Sequence, residues 1–200
     1  MTFVLAVLGF YGYSNTGKTT VIEYLIKELT NRGFKVATVK ITDKPISIDK
    51  EGKDTWKFAQ KGAKIIAMST PVETSYILKQ KEDLPSILNR IYDLGDVDVV
   101  LVEGARDPSI QKIRFGDAPI RKNTVFTYDG NNEKILDFIL ATVKEERHMK
   151  DFIELKVNGK KIPLSKFPKD FIMQTIAGMV KSLRGVEEVK EVELHFKIEN

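Results

Sequence analysis

One short segment near the amino terminus carries the residues with the clearest chemical potential. Residues 12–19 read Gly-Tyr-Ser-Asn-Thr-Gly-Lys-Thr and fit the pattern G-x-x-x-x-G-K-[ST] of a phosphate-binding loop. Two glycines allow the backbone N–H groups to curl around a phosphate, and a following helix adds its own unpaired N–H groups. Lys18 would neutralise the β and γ oxygens of a nucleoside triphosphate, and the Thr19 hydroxyl would ligate Mg²⁺. The alternative is a glycine-rich turn with an exposed lysine.

A magnesium site at this loop needs a carboxylate, and three acidic residues are candidates. Glu103 directly follows the apolar run of residues 97–102, and the carboxyl ends of parallel strands gather at the edge where the loop would lie. Asp49 and Asp54 lie in a later segment that would fold back over the phosphates and reach Mg²⁺ directly or through water. For all three residues the alternative is ordinary solvated charge.

The hydrophobic pattern indicates the elements that would position these residues. Apolar or alternating runs predict strands at residues 3–8, 35–41, 64–68, 75–79, 97–102, 112–115 and 124–127. Helical periodicity predicts helices from Thr19 to a stop at Gly33, at residues 53–61 and 84–92, and through Ile135, Ile139 and Val143. Strands that alternate with helices predict an α/β fold of the P-loop NTPase type, a mostly parallel sheet with helices on both faces.

The chain changes character near residue 150. Residues 144–151 are strongly charged and are predicted to form a linker. An alternating segment around the turn Asn158-Gly159, a helix at residues 171–183 and a strand at residues 192–198 then predict a small hairpin–helix–strand module. We therefore expect a nucleotide-binding domain over residues 1–146 and an accessory α+β module over residues 151–200. That module would serve association or added thermal stability.

Composition narrows the classes of function further. The absence of cysteine excludes disulfide frameworks, thiolate metal sites and iron–sulfur clusters. The net charge is only +4, with basic and acidic residues interleaved, so we expect no nucleic-acid partner. No apolar run approaches the roughly 18–20 residues that cross a bilayer, and no signal peptide is expected. We therefore expect a cytoplasmic protein without a membrane partner.

Three segments together resemble the MobB family of molybdopterin-guanine dinucleotide biosynthesis. They are GYSNTGKTT at residues 12–20, IDKEGKDTWKFAQKGA at residues 48–63 and DVVLVEGARDPSIQKIRF at residues 98–115. The resemblance covers roughly residues 1–128. It implies a P-loop fold that binds GTP and Mg²⁺ and hydrolyses GTP weakly. It also implies a homodimer that assists a MobA-like nucleotidyltransferase in attaching GMP to molybdopterin.

The resemblance also implies roles for individual residues. The phosphates would be held by Gly12, Ser14, Asn15, Thr16, Gly17, Lys18, Thr19 and Thr20, with Lys40 lining the same site. Thr19, Glu103 and Asp49 would hold the metal, and Lys18, Glu103 and Asp54 would serve catalysis. No N-K-x-D guanine-reading motif is visible, so the preference for guanine rests on the resemblance.

A basic cluster lies outside these motifs. It comprises Arg106, Lys112, Arg114, Arg121 and Lys122. The cluster is either a solvated surface or a binding surface for the phosphate of an anionic pterin or for an acidic partner. The two histidines, His148 and His195, have no partner at metal-ligand spacing.

Two other functions are compatible with the same motifs. A P-loop small-molecule kinase or ligase resembling dethiobiotin synthetase would turn over about 1–100 times per second. A non-catalytic, nucleotide-gated interaction module would act through the carboxyl-terminal part of the chain. Kinetics separate these functions, because an adapter alone hydrolyses its nucleotide orders of magnitude more slowly than a kinase turns over.

Overall fold

The computed structural model describes residues 6–95, 97–150, 155–162, 166–183, 185 and 192–195. The strands are β1 (Ala6–Tyr11), β2 (Val36–Lys40), β3 (Ile65–Ser69), β4 (Thr74–Leu78), β5 (Val99–Glu103), β6 (Gln111–Phe115), β7 (Thr124–Tyr128), β8 (Leu155–Val157) and β9 (Lys160–Ile162). The helices are α1 (Lys18–Asn31), α2 (Asp54–Gln60), α3 (Leu84–Leu94), α4 (Asn132–Lys150) and α5 (Lys166–Lys181).

The central sheet has five parallel strands in the order β2-β5-β1-β6-β7. The middle strand β1 is buried along its whole length, and β5 beside it is buried up to Val102. Such continuous apolar strands are typical of a parallel sheet covered on both faces. After β1 the chain crosses to β2 on one side and later returns to β6 on the other. The loop after β1 therefore lies at a topological switch point, where open α/β sheets bind ligands.

Helices cover both faces of this sheet, as the sequence predicted. On one face, α1 and α4 bury Leu25, Leu29 and Ile139 against strand residues that include Leu8 and Leu101. The opposite face is covered by α3. Its core is formed by Leu84, Leu88, Val7, Val100 and Val102, with Val39, Ala105 and Ile110. The mostly parallel α/β fold is therefore confirmed.

The predicted strands at residues 64–68 and 75–79 are confirmed, but they lie outside the central sheet. They form a separate antiparallel hairpin, β3–β4, whose register runs from Ile65 opposite Leu78 to Ser69 opposite Thr74. The side chains of Ile65 and Tyr76 are more than half exposed. Local alternation identifies a strand, but it does not specify which sheet the strand joins.

The carboxyl-terminal predictions have mixed outcomes. The linker predicted over residues 144–151 is wrong as far as Lys150, because α4 continues to that residue. Lys, Glu, Arg and Met are good helix formers, and they extend the helix anchored by Ile135 and Val143. The β8–β9 hairpin is confirmed, with positive φ at both turn residues, Asn158 and Gly159.

The remaining carboxyl-terminal elements differ in their bounds. The predicted helix at residues 171–183 is present as α5, which begins at Lys166. Residues 192–195 of the predicted last strand are not in a strand, and residues 196–198 lie outside the described residues, as do residues 3–5 of the predicted first strand. The division into two domains stays a prediction. None of the described helices is long and apolar enough to cross a membrane.

Candidate nucleotide-binding site

The phosphate-binding loop connects the buried end of β1 to the first turn of α1. Gly12, Asn15 and Gly17 have φ values of 154°, 63° and 80°, so the chain winds back on itself between the strand and the helix. Glycine is required at position 12, because an added Cβ would lie 2.5 Å from the backbone oxygen of Phe115. No side chain caps α1 at Gly17, which leaves N–H groups of its first turn available to an anion.

Lys18 folds back onto the loop that it would use to hold a phosphate. Its Nζ donates to the carbonyl oxygens of Gly12 at 3.2 Å and Tyr13 at 2.5 Å, and to the Thr16 hydroxyl at 3.2 Å. Partial burial lowers the pKa of the Lys18 ammonium, and the carboxylate of Glu103 opposes that shift. A bound triphosphate would replace these neutral oxygens by charged ones, which are stronger acceptors.

The ends of β2 and β5 and the start of α1 bring Lys40, Glu103 and Thr19 together. The Thr19 hydroxyl donates to Glu103 Oε1 at 3.1 Å, and Lys40 Nζ lies 3.3 Å from Glu103 Oε2. The register explains this meeting, because Lys40 pairs with Glu103 across β2 and β5 and Glu103 pairs with Phe10 of β1. The structure therefore places Glu103 beside the first turn of α1.

The oxygen pair of Thr19 and Glu103 fits Mg²⁺. A hydroxyl and a carboxylate are hard ligands, and Mg²⁺ bound with a nucleotide usually takes only one or two protein ligands. No three His, Asp or Glu side chains converge as a metal site among the described residues. Phosphate oxygens and water would complete the coordination shell, as in other nucleotide sites.

Gly104 also belongs to this site, although the sequence motifs assign it no role. Its φ is +80°, and an added Cβ would lie 2.2 Å from the backbone oxygen of Ile41. The N–H of Gly104 donates to the carbonyl of Phe10, and the N–H of Ile41 donates to that of Glu103, both at 2.9 Å. The glycine after Glu103 thus lets three strand ends close together. A glycine directly after a buried strand indicates such a close approach. Its partner, however, can be named only when the neighbouring strand is known.

Asp49 and Asp54 make their contacts away from the phosphate-binding loop. The Asp49 side chain is only 2% exposed, and it accepts from the Thr55 hydroxyl at 2.8 Å and Lys79 Nζ at 3.1 Å. Asp54 begins α2, is well exposed and pairs with Lys57 at 3.2 Å. In this structure Asp49 ties the segment before α2 to the end of β4. The metal role of Asp49 and the catalytic role of Asp54 stay predictions.

We expect Asp49→Asn to lower the thermal midpoint of unfolding at neutral pH. The Thr55 hydroxyl, and after it Lys79, hold the pKa of Asp49 below its usual value. A carboxyl with a lowered folded-state pKa stabilises the protein above its unfolded pKa, about 4, and loses that effect as the pH falls through the folded value. The difference from wild type, measured by thermal denaturation, should therefore shrink progressively as the pH is lowered below about 4. Asp54→Asn is the control, and an equal effect there would contradict the assignment.

Lys112 does not belong to an exposed basic cluster. It is fully buried, and its Nζ donates to the carbonyl oxygens of Ile110 at 2.8 Å and Lys122 at 2.9 Å. Burial lowers the pKa of this ammonium. Arg121 is also engaged, because its guanidinium lies 4.6 Å from the centroid of the Tyr11 ring and donates to the Ala105 carbonyl at 2.8 Å. The sequence analysis grouped Lys112 with surface cations, but the chain around Lys122 covers it.

The fold and the loop together define the class of protein. A parallel sheet whose switch point carries a glycine-lined loop and a helix amino terminus is the P-loop NTPase fold, and solved structures confirm it. The crystal structure of Bacillus subtilis MobB superposes with a TM-score of 0.55 at 18% identity, over 69% of this chain and 98% of that chain. The family follows from sequence: the model described as molybdopterin guanine dinucleotide synthesis protein B matches residues 7–151. This chain belongs to that family, MobB.

Two relatives show how far the similarity extends. The molybdopterin-guanine dinucleotide biosynthesis adapter protein of Haemophilus influenzae is 33% identical, over 75% of this chain and 88% of that protein. A protein of Methanocaldococcus jannaschii, provisionally named as an adapter protein of the same biosynthesis, is 27% identical over 97% of this chain and 98% of its own length. The second alignment includes most residues beyond 150, so the extension is shared with that protein.

Proposed function

We propose that this protein is a GTP-binding adapter with weak GTPase activity that acts in the cytoplasm. It would assist a MobA-like nucleotidyltransferase in attaching GMP to molybdopterin. The observation that carries the proposal is that Lys18 lies on the phosphate-binding loop while Thr19 meets Glu103 at the same edge of the sheet. Membership of the MobB family and relatives named as adapter proteins of molybdopterin-guanine dinucleotide biosynthesis support the pathway.

Different residues of the site would hold different parts of a bound triphosphate. Lys18 would leave the carbonyl oxygens of Gly12 and Tyr13 and pair with the β and γ oxygens, while loop and α1 N–H groups surround the phosphates. Thr19 and Glu103 would hold Mg²⁺, which supplies charge neutralisation between the β- and γ-phosphates. Lys40, which faces the other Glu103 oxygen, would keep that carboxylate oriented.

Weak hydrolysis is consistent with how the arginines near the strand ends are used. Arg106 forms an ion pair with Asp43. Arg114 Nε donates to the Ala118 carbonyl at 2.5 Å, and Arg121 donates to the Ala105 carbonyl at 2.8 Å. An additional arginine that stabilises the transition state raises P-loop hydrolysis about 10³- to 10⁵-fold. We propose that no arginine of this site serves that role in the isolated protein, and hydrolysis stays slow.

We also propose that the protein is a homodimer, and the β3–β4 hairpin is the feature that supports it. Ile65, Met68 and Tyr76 on this hairpin are exposed, as are Ile46 and Ile48 in the preceding segment. Exposed apolar residues gathered on one part of a surface are typical of a protein–protein contact. The carboxyl-terminal module remains the other candidate for association.

Binding and kinetic measurements test the proposal. Calorimetry should show GTP binding that strengthens with Mg²⁺, and single-turnover assays should show hydrolysis far below about 1 per second. A MobA-like nucleotidyltransferase should bind the GTP-loaded protein in a pull-down assay. A rapid, substrate-dependent turnover would instead identify a kinase or ligase. Failure to bind any nucleoside triphosphate would refute the assignment of the loop.

A further inference from the structure

The direction in which a bound nucleotide leaves the loop is set by the positions of Thr19 and Glu103. Mg²⁺ held by these two residues would lie beside the β- and γ-phosphates, so Thr19 and Glu103 would mark the γ end of a bound triphosphate. Glu103 ends β5, which lies on one side of β1, whereas β6 lies on the other side. The α-phosphate and the nucleoside of such a triphosphate would therefore extend over the ends of β6 and β7.

The segment that a nucleoside meets there is the β6–β7 loop, residues 116–123. The end of β6 and this loop each lie against the phosphate-binding loop at one point. A Cβ at Gly12 would be 2.5 Å from the Phe115 oxygen, and a Cβ at Gly116 would be 3.4 Å from Cγ2 of Thr16. The residue after Gly116 is therefore within the reach of a nucleotide whose phosphates lie in the phosphate-binding loop.

The β6–β7 loop is held in place on both sides of Asp117. Ala118 is buried, and its carbonyl accepts from Arg114 Nε at 2.5 Å. Further along, the Arg121 N–H donates to the Tyr11 hydroxyl at 3.1 Å, and the Arg121 guanidinium lies over the Tyr11 ring. Asp117 itself is exposed and makes no hydrogen bond or ion pair with any described residue. A fixed backbone thus presents a carboxylate whose acceptor sites are open.

The carboxylate at the end of β7 provides a contrast. Asp129 accepts from Lys134 Nζ at 2.7 Å and from the Asn131 N–H at 3.0 Å, and these bonds lower its pKa. Its hydrogen-bonding capacity is used to organise the start of α4. Of these two aspartates beside the nucleoside's path, only Asp117 has a carboxylate free for a ligand.

We propose that Asp117 is the residue that recognises guanine. This proposal rests on the proposed function, the binding of a nucleoside triphosphate. An ionised carboxylate only accepts hydrogen bonds. Guanine presents two adjacent donors, N1–H and the 2-amino group, which match the two carboxylate oxygens. Adenine presents an unprotonated N1 at the same position and would face the carboxylate with a lone pair. The site therefore selects GTP over ATP without an N-K-x-D motif.

The test is a titration of wild type, Asp117→Asn and Asp129→Asn with GTP, xanthosine triphosphate and ATP, each with Mg²⁺. Asp117→Asn should weaken GTP binding by about 10- to 100-fold, because charge-assisted hydrogen bonds are lost. It should strengthen binding of xanthosine triphosphate, whose 2-oxo group accepts from the new amide. Asp129→Asn removes the same charge at the same sheet edge and should leave the order of the three affinities unchanged. Asp117→Ala should lose GTP without gaining xanthosine triphosphate, and circular dichroism checks the fold.

The outcomes separate this inference from the proposed function. If Asp117→Asn keeps the wild-type preference, or if Asp129→Asn changes it equally, the inference is wrong while GTP binding stands. A wild-type preference for ATP would also overturn it. If wild type binds none of the three triphosphates, the proposed function itself fails.

Discussion

Lys18→Ala is expected to abolish tight triphosphate binding while leaving the protein folded. In the proposed function, the lysine would supply the point charge that neutralises the β and γ oxygens, and charge-assisted bonds to phosphate are among the stronger ones in proteins. We expect GTP affinity to fall by about 100-fold or more. The side chain reaches the surface of the loop, where its own partners are the Gly12 and Tyr13 carbonyls and the Thr16 hydroxyl. Its loss removes those contacts without opening a cavity in the core.

Calorimetric titration with GTP and Mg²⁺ measures this effect, and Lys27→Ala is the matched control. Lys27 lies on the same helix, α1, and is exposed. Its replacement removes one positive charge from the same element at a distance from the loop, so GTP affinity should stay at the wild-type value. Undiminished affinity in folded Lys18→Ala would contradict the P-loop assignment.

The parts of the site that could be predicted from sequence depend on local patterns. The apolar run at residues 3–8, the two glycines and the helical periodicity after Thr19 lie within one stretch of chain, and together they predict a strand, a loop and a helix. Glu103 could be placed because the end of a parallel strand has a known relation to the loop. The structure brings Glu103 within 3.1 Å of the Thr19 hydroxyl.

The parts that could not be predicted depend on contacts between distant segments. Lys112 is buried because the chain around Lys122 covers it, and the Lys122 carbonyl accepts its hydrogen bond. The pattern of residues along the strand predicts neither contact. One of the two partners of the Asp49 carboxylate is Lys79, thirty positions along the chain. Charge composition alone did not distinguish a solvated linker from the last turns of α4, since the same residue types favour both.

The role proposed for Asp117 also could not be predicted from the sequence. Its sequence neighbourhood, Phe-Gly-Asp-Ala-Pro, indicates a turn and nothing more. The strand order places that turn beside the phosphate-binding loop, and the hydrogen bonds of its neighbours show that it is held there. Its place as a candidate ligand residue follows only from the position of β6 next to β1.

Glu103→Gln is expected to reduce Mg²⁺-dependent GTP hydrolysis by about 100-fold, because the side chain that we propose as a metal ligand would lose its charge. The substitution keeps the shape of the side chain and its hydrogen bond with Thr19. It weakens the ion pair with Lys40, but Lys40 is largely exposed, so we expect little change in folding stability. Nucleotide binding without Mg²⁺ should persist or improve, since a negative charge beside the phosphates has been removed.

Single-turnover hydrolysis over a range of Mg²⁺ concentrations, alongside GTP titrations in EDTA, separates these effects. A metal-ligand role raises the Mg²⁺ concentration needed for hydrolysis and leaves metal-free affinity intact, whereas a structural role would weaken both. Glu23→Gln, an exposed glutamate on α1, controls for the loss of one negative charge. Unchanged hydrolysis in Glu103→Gln would move the metal role to Asp49 or Asp54. Asp49 would then have to leave Thr55 and Lys79 when nucleotide binds, so the segment before α2 would have to rearrange.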